Sequence, residues 1–82
     1  MNRDKLLDII EDHRHWVIHG GQIGQQAILH KVDLSDAVLG GSELSGIDLS
    51  ESDLSSAIIS WSSFQNATLK KVNFEDANLE GS

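Results

Sequence analysis

Three histidines stand close together near the start of the chain, His13, His15 and His19, and their spacing invites a metal reading. His15 and His19 are four apart, the separation at which two imidazoles of one helix can share a zinc ion. His13 falls on the opposite, apolar side of the same helix, and no fourth ligand follows at a suitable spacing, so no metal site is expected. GGQIG at 20–24 lacks the lysine and the strand-loop-helix setting of a phosphate loop. The abundant serines include none in a GxSxG turn or beside a placed base. Rows of Asp and Glu could suggest paired catalytic carboxylates, but such pairs work in a concave pocket, and the rest of the chain predicts a convex rod. No catalytic residue, cofactor or metal ligand is assigned, and no enzyme activity is expected.

The elements that carry these residues divide at about Gly20. Leu6, Ile9, Ile10, His13, Trp16 and Val17 lie on one stripe of a helix over 3–19, with Asp4, Asp8, Glu11, Asp12 and Arg14 mostly opposite. Asn2 is the expected N-cap, Asp4 sits where the helix dipole favours negative charge, and Gly20-Gly21 supplies a left-handed stop. An amphipathic helix of about four to five turns needs an apolar surface to cover.

From Ala27 the chain repeats every five residues: AILHK, VDLSD, AVLGG, SELSG, IDLSE, SDLSS, AIISW, SSFQN, ATLKK, VNFED, ANLEG, then Ser82. Residues 27–81 form eleven units without an insertion. The third position is Leu, Ile or Phe throughout, from Leu29 to Leu79, and the first is Ala, Val, Ile or Ser. Period five fits neither regular element. Five helical residues advance about 500°, so the third positions would spiral round the axis. In a straight strand an odd period sends successive side chains to opposite faces. The pattern works only if the chain bends after each unit, four bends closing a twenty-residue coil whose third positions point to one axis. Stacked coils are then expected to pair as parallel strands about 4.8 Å apart. Ser42, Ser52 and Ser62 become small inward fillers bonded to nearby backbone.

These units resemble the pentapeptide-repeat family, whose consensus is A(D/N)LXX; ANLEG at 77–81 matches it fully, and VDLSD, SDLSS and IDLSE miss only the small residue. The segment LLDIIEDHRHWVIHGGQIGQQA is similar to the helical lead-in of many bacterial members. The resemblance implies an all-β solenoid, a right-handed quadrilateral parallel β-helix of about 2.75 coils, capped by one N-terminal α-helix. Residues 1–26 would be cap and connection, 27–82 the repeat body. Ile28, Val38 and Ile58 depart from the family pattern, standing where Asp or Asn is usual.

Four units per coil assign the outward second, fourth and fifth positions to faces. The face of units 32–36, 52–56 and 72–76 presents Asp33, Asp36, Asp53, Glu75 and Asp76 with no Lys or Arg. A second face stacks Lys31, Glu51 and Lys71, expected to support one another. A third places Val38 over Ile58 and sets Trp61 between Gly41 and Gly81, an apolar cluster of the kind that marks a contact surface. The last coil would leave Phe74 and Leu79 at an open edge, so either the chain is cut from a longer solenoid or that coil stacks on a partner, and self-association as a homodimer through it is expected.

Thirteen acidic against six basic residues give a formal charge of −7, which argues against nucleic acid as a partner. The absence of Cys removes disulfide staples and thiolate metal sites. No apolar run approaches a membrane span and the N-terminus has no signal-peptide core, so a cytoplasmic protein is expected; that it is bacterial is what the resemblance of its lead-in implies. Two functions fit: a non-catalytic scaffold or protein-interaction module, and a DNA mimic. The second follows from the resemblance, because some pentapeptide-repeat proteins imitate duplex DNA and bind gyrase, and from the acidic face. A column of only roughly 14 Å counts against it.

Overall fold

The structure, a computed structural model, describes residues 1–82. Its helix α1 spans Arg3–Ile18. The Asn2 side chain accepts the Lys5 N–H at 2.8 Å, satisfying one of the free donors at the helix start, and Asp4 occupies the first turn. The helix stops at His19, whose N–H donates to the His15 carbonyl at 3.0 Å, and Gly20 follows in the left-handed region. The connection then turns back against the helix. At Gly24 (φ 78°) a Cβ would stand 2.4 Å from the Asp12 carbonyl oxygen, so only glycine allows this approach. The Gln25 N–H donates to that same carbonyl at 3.3 Å.

Beyond residue 26 the chain passes beside itself every twenty residues. Parallel bridges join Ile28, Asp48 and Thr68; Asp33, Asp53 and Asn73; Val38, Ile58 and Asn78; and Glu43 with Ser63. Every bridging residue is the second of its unit. Three series of backbone bonds hold neighbouring coils together. Third-position amides (Leu29 to Ile59) and fifth-position amides (Lys31 to Trp61) donate to carbonyls nineteen residues ahead, and second-position amides donate to carbonyls twenty-one residues back; all lie between 2.7 and 3.1 Å. The expected continuous parallel strands do not form. Each contact between coils is a single-residue bridge, because a corner follows before a second residue can enter the ladder.

The corner has a uniform cause. The fifth residue of all eleven units has positive φ, between 55° and 73°. At most corners the following amide closes the turn onto the third-position carbonyl, as Ala37 does to Leu34 and Ala57 to Leu54, both at 3.1 Å. A left-handed residue at the third place of a four-residue turn is the requirement of type II geometry. Glycine takes it at Gly41, Gly46 and Gly81; elsewhere Lys, Asp, Glu, Ser, Trp or Asn does, against a steric cost of about 1 kcal/mol per residue.

The inward register follows. Leu29, Leu34, Leu39, Leu44, Leu49, Leu54 and Ile59 are buried, with Ala27, Ile47 and Ala57 from first positions, and Leu6 and Ile10 of α1 join the same core. Phe64, Leu69 and Phe74 of the last coil are half-buried. First-position serines bond the coils from inside. Ser52 Oγ donates to the Leu29 carbonyl and accepts the Val32 N–H, and Ser62 Oγ does the same with Leu39 and Ser42. Of the expected outward positions, Ser50 departs: it is buried, with its hydroxyl donating to Asp48 Oδ1 at 2.6 Å.

Candidate functional site

The three histidines do not converge. His13 is fully buried, its Nδ1 accepting the Ala27 N–H at 2.9 Å and its Nε2 2.8 Å from the Ser45 carbonyl. Those two bonds assign the neutral tautomer with the proton on Nε2, since Nδ1 must present a lone pair and Nε2 a donor. The ring stacks on Trp16 at 5.4 Å. His15 and His19 stack on each other at 5.9 Å on the outer side, and His15 Nε2 lies 3.4 Å from Glu11. No group of three or more His, Cys, Asp or Glu is placed to hold a metal ion. Trp16, on the same apolar stripe as Leu6, Ile10 and His13, is only half-buried: its ring edge lies against Gly46, where a Cβ would stand 3.1 Å from it.

The apolar cluster is on the surface. Val38 and Ile58 pair across the bridge between the first two coils and are 66% and 44% exposed. Trp61 is 69% exposed. Its corner stands between those of Gly41 and Gly81 in the stack, and its ring leans to one side. The space over Gly41 is open, whereas a Cβ on Gly81 would stand 2.3 Å from Trp61 Cε3, so the indole lies flat on the last coil. The reason is direct: Gly81 offers backbone without a side chain, which a large ring covers from one side while its other side faces solvent.

Asp33 and Asp53 face each other across a bridge, and Asp53 bridges on to Asn73; Asp36, Glu75 and Asp76 are exposed. Asp33 Oδ1 accepts the Ser35 hydroxyl at 2.6 Å and the Ser35 N–H at 3.0 Å, and these two bonds, the hydroxyl first, hold its carboxyl below the ordinary aspartate range. Asp48 is lowered in the same way by Ser50. Asn73 and Asn78 accept the Glu75 and Glu80 amides in the same geometry without charge. Asp33, Asp48 and Asp53 thus each close a turn onto the serine two residues ahead.

The stacked Lys31, Glu51 and Lys71 do not form ion pairs. Glu51 Oε2 lies 3.6 Å from His30 Nε2 instead, with no lysine nitrogen within 4.0 Å. At the C-terminal side, Phe74 is half-buried and Leu79 is 37% exposed. The amides of Phe64, Asn66, Leu69, Lys71, Phe74, Asp76, Leu79 and Gly81 have no backbone acceptor, although their equivalents one coil earlier all do.

A family model of pentapeptide repeats matches residues 33–70 and 48–82, in eight copies. The chain belongs to the pentapeptide-repeat family. No curated protein matches it. The matched segments together span more than half of the chain and keep the five-residue register of the bridges.

Two residues of this repeat protein carry contacts that the sequence reading passed over. One is Ser82, set aside there as a remainder. It is the first position of a twelfth unit: its Oγ donates to the Ile59 carbonyl at 2.7 Å and accepts the Ser62 N–H at 3.1 Å. The signal was present, since Ser42, Ser62 and Ser82 fall twenty residues apart. The other is Gln26, whose side-chain amide donates to the Gly46 carbonyl at 2.8 Å and closes the end of the first coil. No helix is long and apolar enough to cross a membrane.

Proposed function

We propose that this pentapeptide-repeat chain is a non-catalytic protein-interaction module. In this reading it is a right-handed quadrilateral β-helix, residues 27–82, capped by residues 1–26, needing no cofactor and working in the cytoplasm. The contact surface is the face of Val38, Ile58 and Trp61. The observation that carries the reading is the flat, 69% exposed indole of Trp61 on Gly81, on the face of the backbone ladder that also exposes Val38 and Ile58. Exposed apolar groups held on a rigid support lose little conformational entropy on binding, which is how a small surface gains affinity. The unpaired amides of residues 64–81, with Phe74 and Leu79 beside them, are the second element, through which the module pairs with a copy of itself.

The test is affinity capture from a lysate of the source cells, with the wild-type chain and an Ile58→Ser, Trp61→Ala double variant as baits. A protein retained by the first and lost by the second, with both baits equally folded by circular dichroism, is the expected result. Identical eluates would overturn the reading.

The acidic face supports a second reading, a DNA mimic acting on a DNA-binding enzyme such as gyrase: Asp33 and Asp53 stack at the spacing of the coils, and no cation lies among units 32–36, 52–56 and 72–76. Inhibition of gyrase supercoiling at low micromolar protein is the result expected of a mimic and not of a protein-interaction module.

A further inference from the structure

The open backbone of the first coil provides a second site, which meets the Trp61 surface at Val38. Between the first two turns of α1 and residues 33–38 lies a cavity of about 320 Å³. Leu7 and Val38, both exposed, and the buried Leu6 and Leu34 give it apolar walls, Asp33 and Asp36 stand on the coil side, and Arg3 lies on the helix side. Arg3 pairs with no carboxylate: the basic side chains within 4.0 Å of a carboxylate are Arg14 and His15 at Glu11 and His30 at Glu51.

Along the cavity the backbone is unpaired. The Asp33 and Val38 amides donate to nothing, and the Asp33, Ser35 and Val38 carbonyls accept nothing. One coil later every equivalent group is used. Asp53 and Ile58 donate to Val32 and Ala37, and the Asp53, Ser55 and Ile58 carbonyls accept from Leu34, Asp36 and Leu39. The helix therefore covers the core of the first coil without satisfying this stretch of its edge. An extended segment lying there would take the place of a preceding coil and reproduce the bond pattern of the rest of the stack. Adding a strand to an open edge is an established route to peptide recognition, in which backbone bonds supply affinity and side-chain pockets supply choice.

We propose that this groove takes an extended segment of a partner protein in which aliphatic residues alternate with Lys or Arg. The proposal deepens the interaction-module reading and rests on it. Charge selects the partner: the repeat face beside the groove bears Asp33, Asp36, Asp53, Glu75 and Asp76 and no Lys or Arg, and these five carboxylates outweigh Arg3 on the helix side, so a basic segment is drawn in and an acidic one repelled. Aliphatic residues of the segment fill the space between Leu7 and Val38.

The probe is a fluorescently labelled, end-blocked peptide alternating Lys and Leu, titrated with the full chain and followed by anisotropy. Asp33→Asn with Asp36→Asn removes both carboxylates of the groove, leaves Arg3 in place and keeps the backbone, since Asn73 already closes a turn as Asp33 does and Asn66 already sits at a left-handed corner as Asp36 does. This pair should weaken binding about tenfold, while Glu75→Gln with Asp76→Asn, which removes the same charge farther along the face, should change it less than about twofold. N-methylating alternate amides of the peptide leaves its charge intact and should weaken binding at least about tenfold.

Equal loss in the two double variants would show attraction to net charge alone and overturn the groove. So would undiminished binding of the methylated peptide, or no binding of the Lys–Leu peptide to the wild-type chain. Self-association of the free protein that Asp33→Asn with Asp36→Asn abolishes would give the groove to a second copy and overturn the partner segment. Failure of the peptide with a successful capture by the Trp61 surface would remove the groove and leave the module; failure of both would remove the module.

Discussion

The Nδ1 of His13 lies 2.9 Å from the backbone nitrogen of Ala27, the residue with which the repeats begin. The same ring reaches the Ser45 carbonyl through Nε2, so one imidazole joins α1 to both the start and the end of the first coil. A histidine on the apolar stripe of an amphipathic helix is thus the polar fastening of the cap. Its buried position is compatible with a polar ring because both nitrogens have partners.

Replacing His13 by Phe keeps a ring of similar bulk and removes both bonds. It leaves the Ala27 N–H and the Ser45 carbonyl without these partners inside the interface, a loss of about 1–3 kcal/mol for a buried orphaned group. His19→Ala, on the outer face, should stay within about 0.5 kcal/mol. Urea midpoints of the two variants measure this. Equal midpoints would mean that the cap is held by Leu6 and Ile10 alone.

The core register was legible in the sequence because a third-position Leu, Ile or Phe recurs without a break, and only one way of bending the chain gathers these side chains. The helix and its Asn2 cap were legible for similarly local reasons. The His13 bonds were not, since their partners lie 14 and 32 residues away and become neighbours only once helix and coil are docked. The direction of Trp61 was not, because glycine stands at the equivalent corner both before and after it. The Lys31, Glu51 and Lys71 column misled because alignment is not pairing. Long exposed lysine side chains give up more freedom than an exposed ion pair returns, and His30 takes the contact.

Within the repeats, depth and hydrogen bonding separate three neighbouring positions. Leu54 is 0% exposed at the centre of the column, and Leu54→Ala should cost about 2–5 kcal/mol. Ser52→Ala leaves the Val32 N–H and the Leu29 carbonyl unpaired and should cost about 1–3 kcal/mol. Ser55→Ala keeps the backbone bond to Asp53 and should cost less than about 0.5 kcal/mol. Denaturant midpoints should follow that order. A Ser52→Ala variant as stable as Ser55→Ala would show that inner serines fill space without bonding the coils.

Acid should act through the turn-closing carboxylates. The Ser35 and Ser50 bonds hold Asp33 and Asp48 below the ordinary aspartate range, so each adds stability above about pH 4, and that stability is lost as the pH falls through the lowered folded values. The thermal midpoint is expected to hold level down to that range and to fall below it. Asp33→Asn with Asp48→Asn retains an oxygen acceptor and removes the titration, so the decline should be shallower. An unchanged acid limb in the double variant would transfer the effect to other carboxylates.

The last coil predicts association. The amides of Phe64, Leu69, Phe74 and Leu79 alternate with those of Asn66, Lys71, Asp76 and Gly81 along an edge where none has a backbone partner, and the half-buried rings of Phe64 and Phe74 lie beside them. Open amides over apolar surface favour pairing with another edge, and two copies related by a two-fold axis present each other with the same groups. Light scattering at tens of micromolar should therefore give twice the chain mass, falling to the monomer on dilution. Phe74→Glu sets a charge in that contact and should yield a monomer that keeps the circular dichroism of the parent. Its cost to stability should be smaller than that of Leu54→Ala, because Phe74 is only half-buried. A parent that remains monomeric across this range, with Phe74→Glu changing stability alone, would remove the dimer.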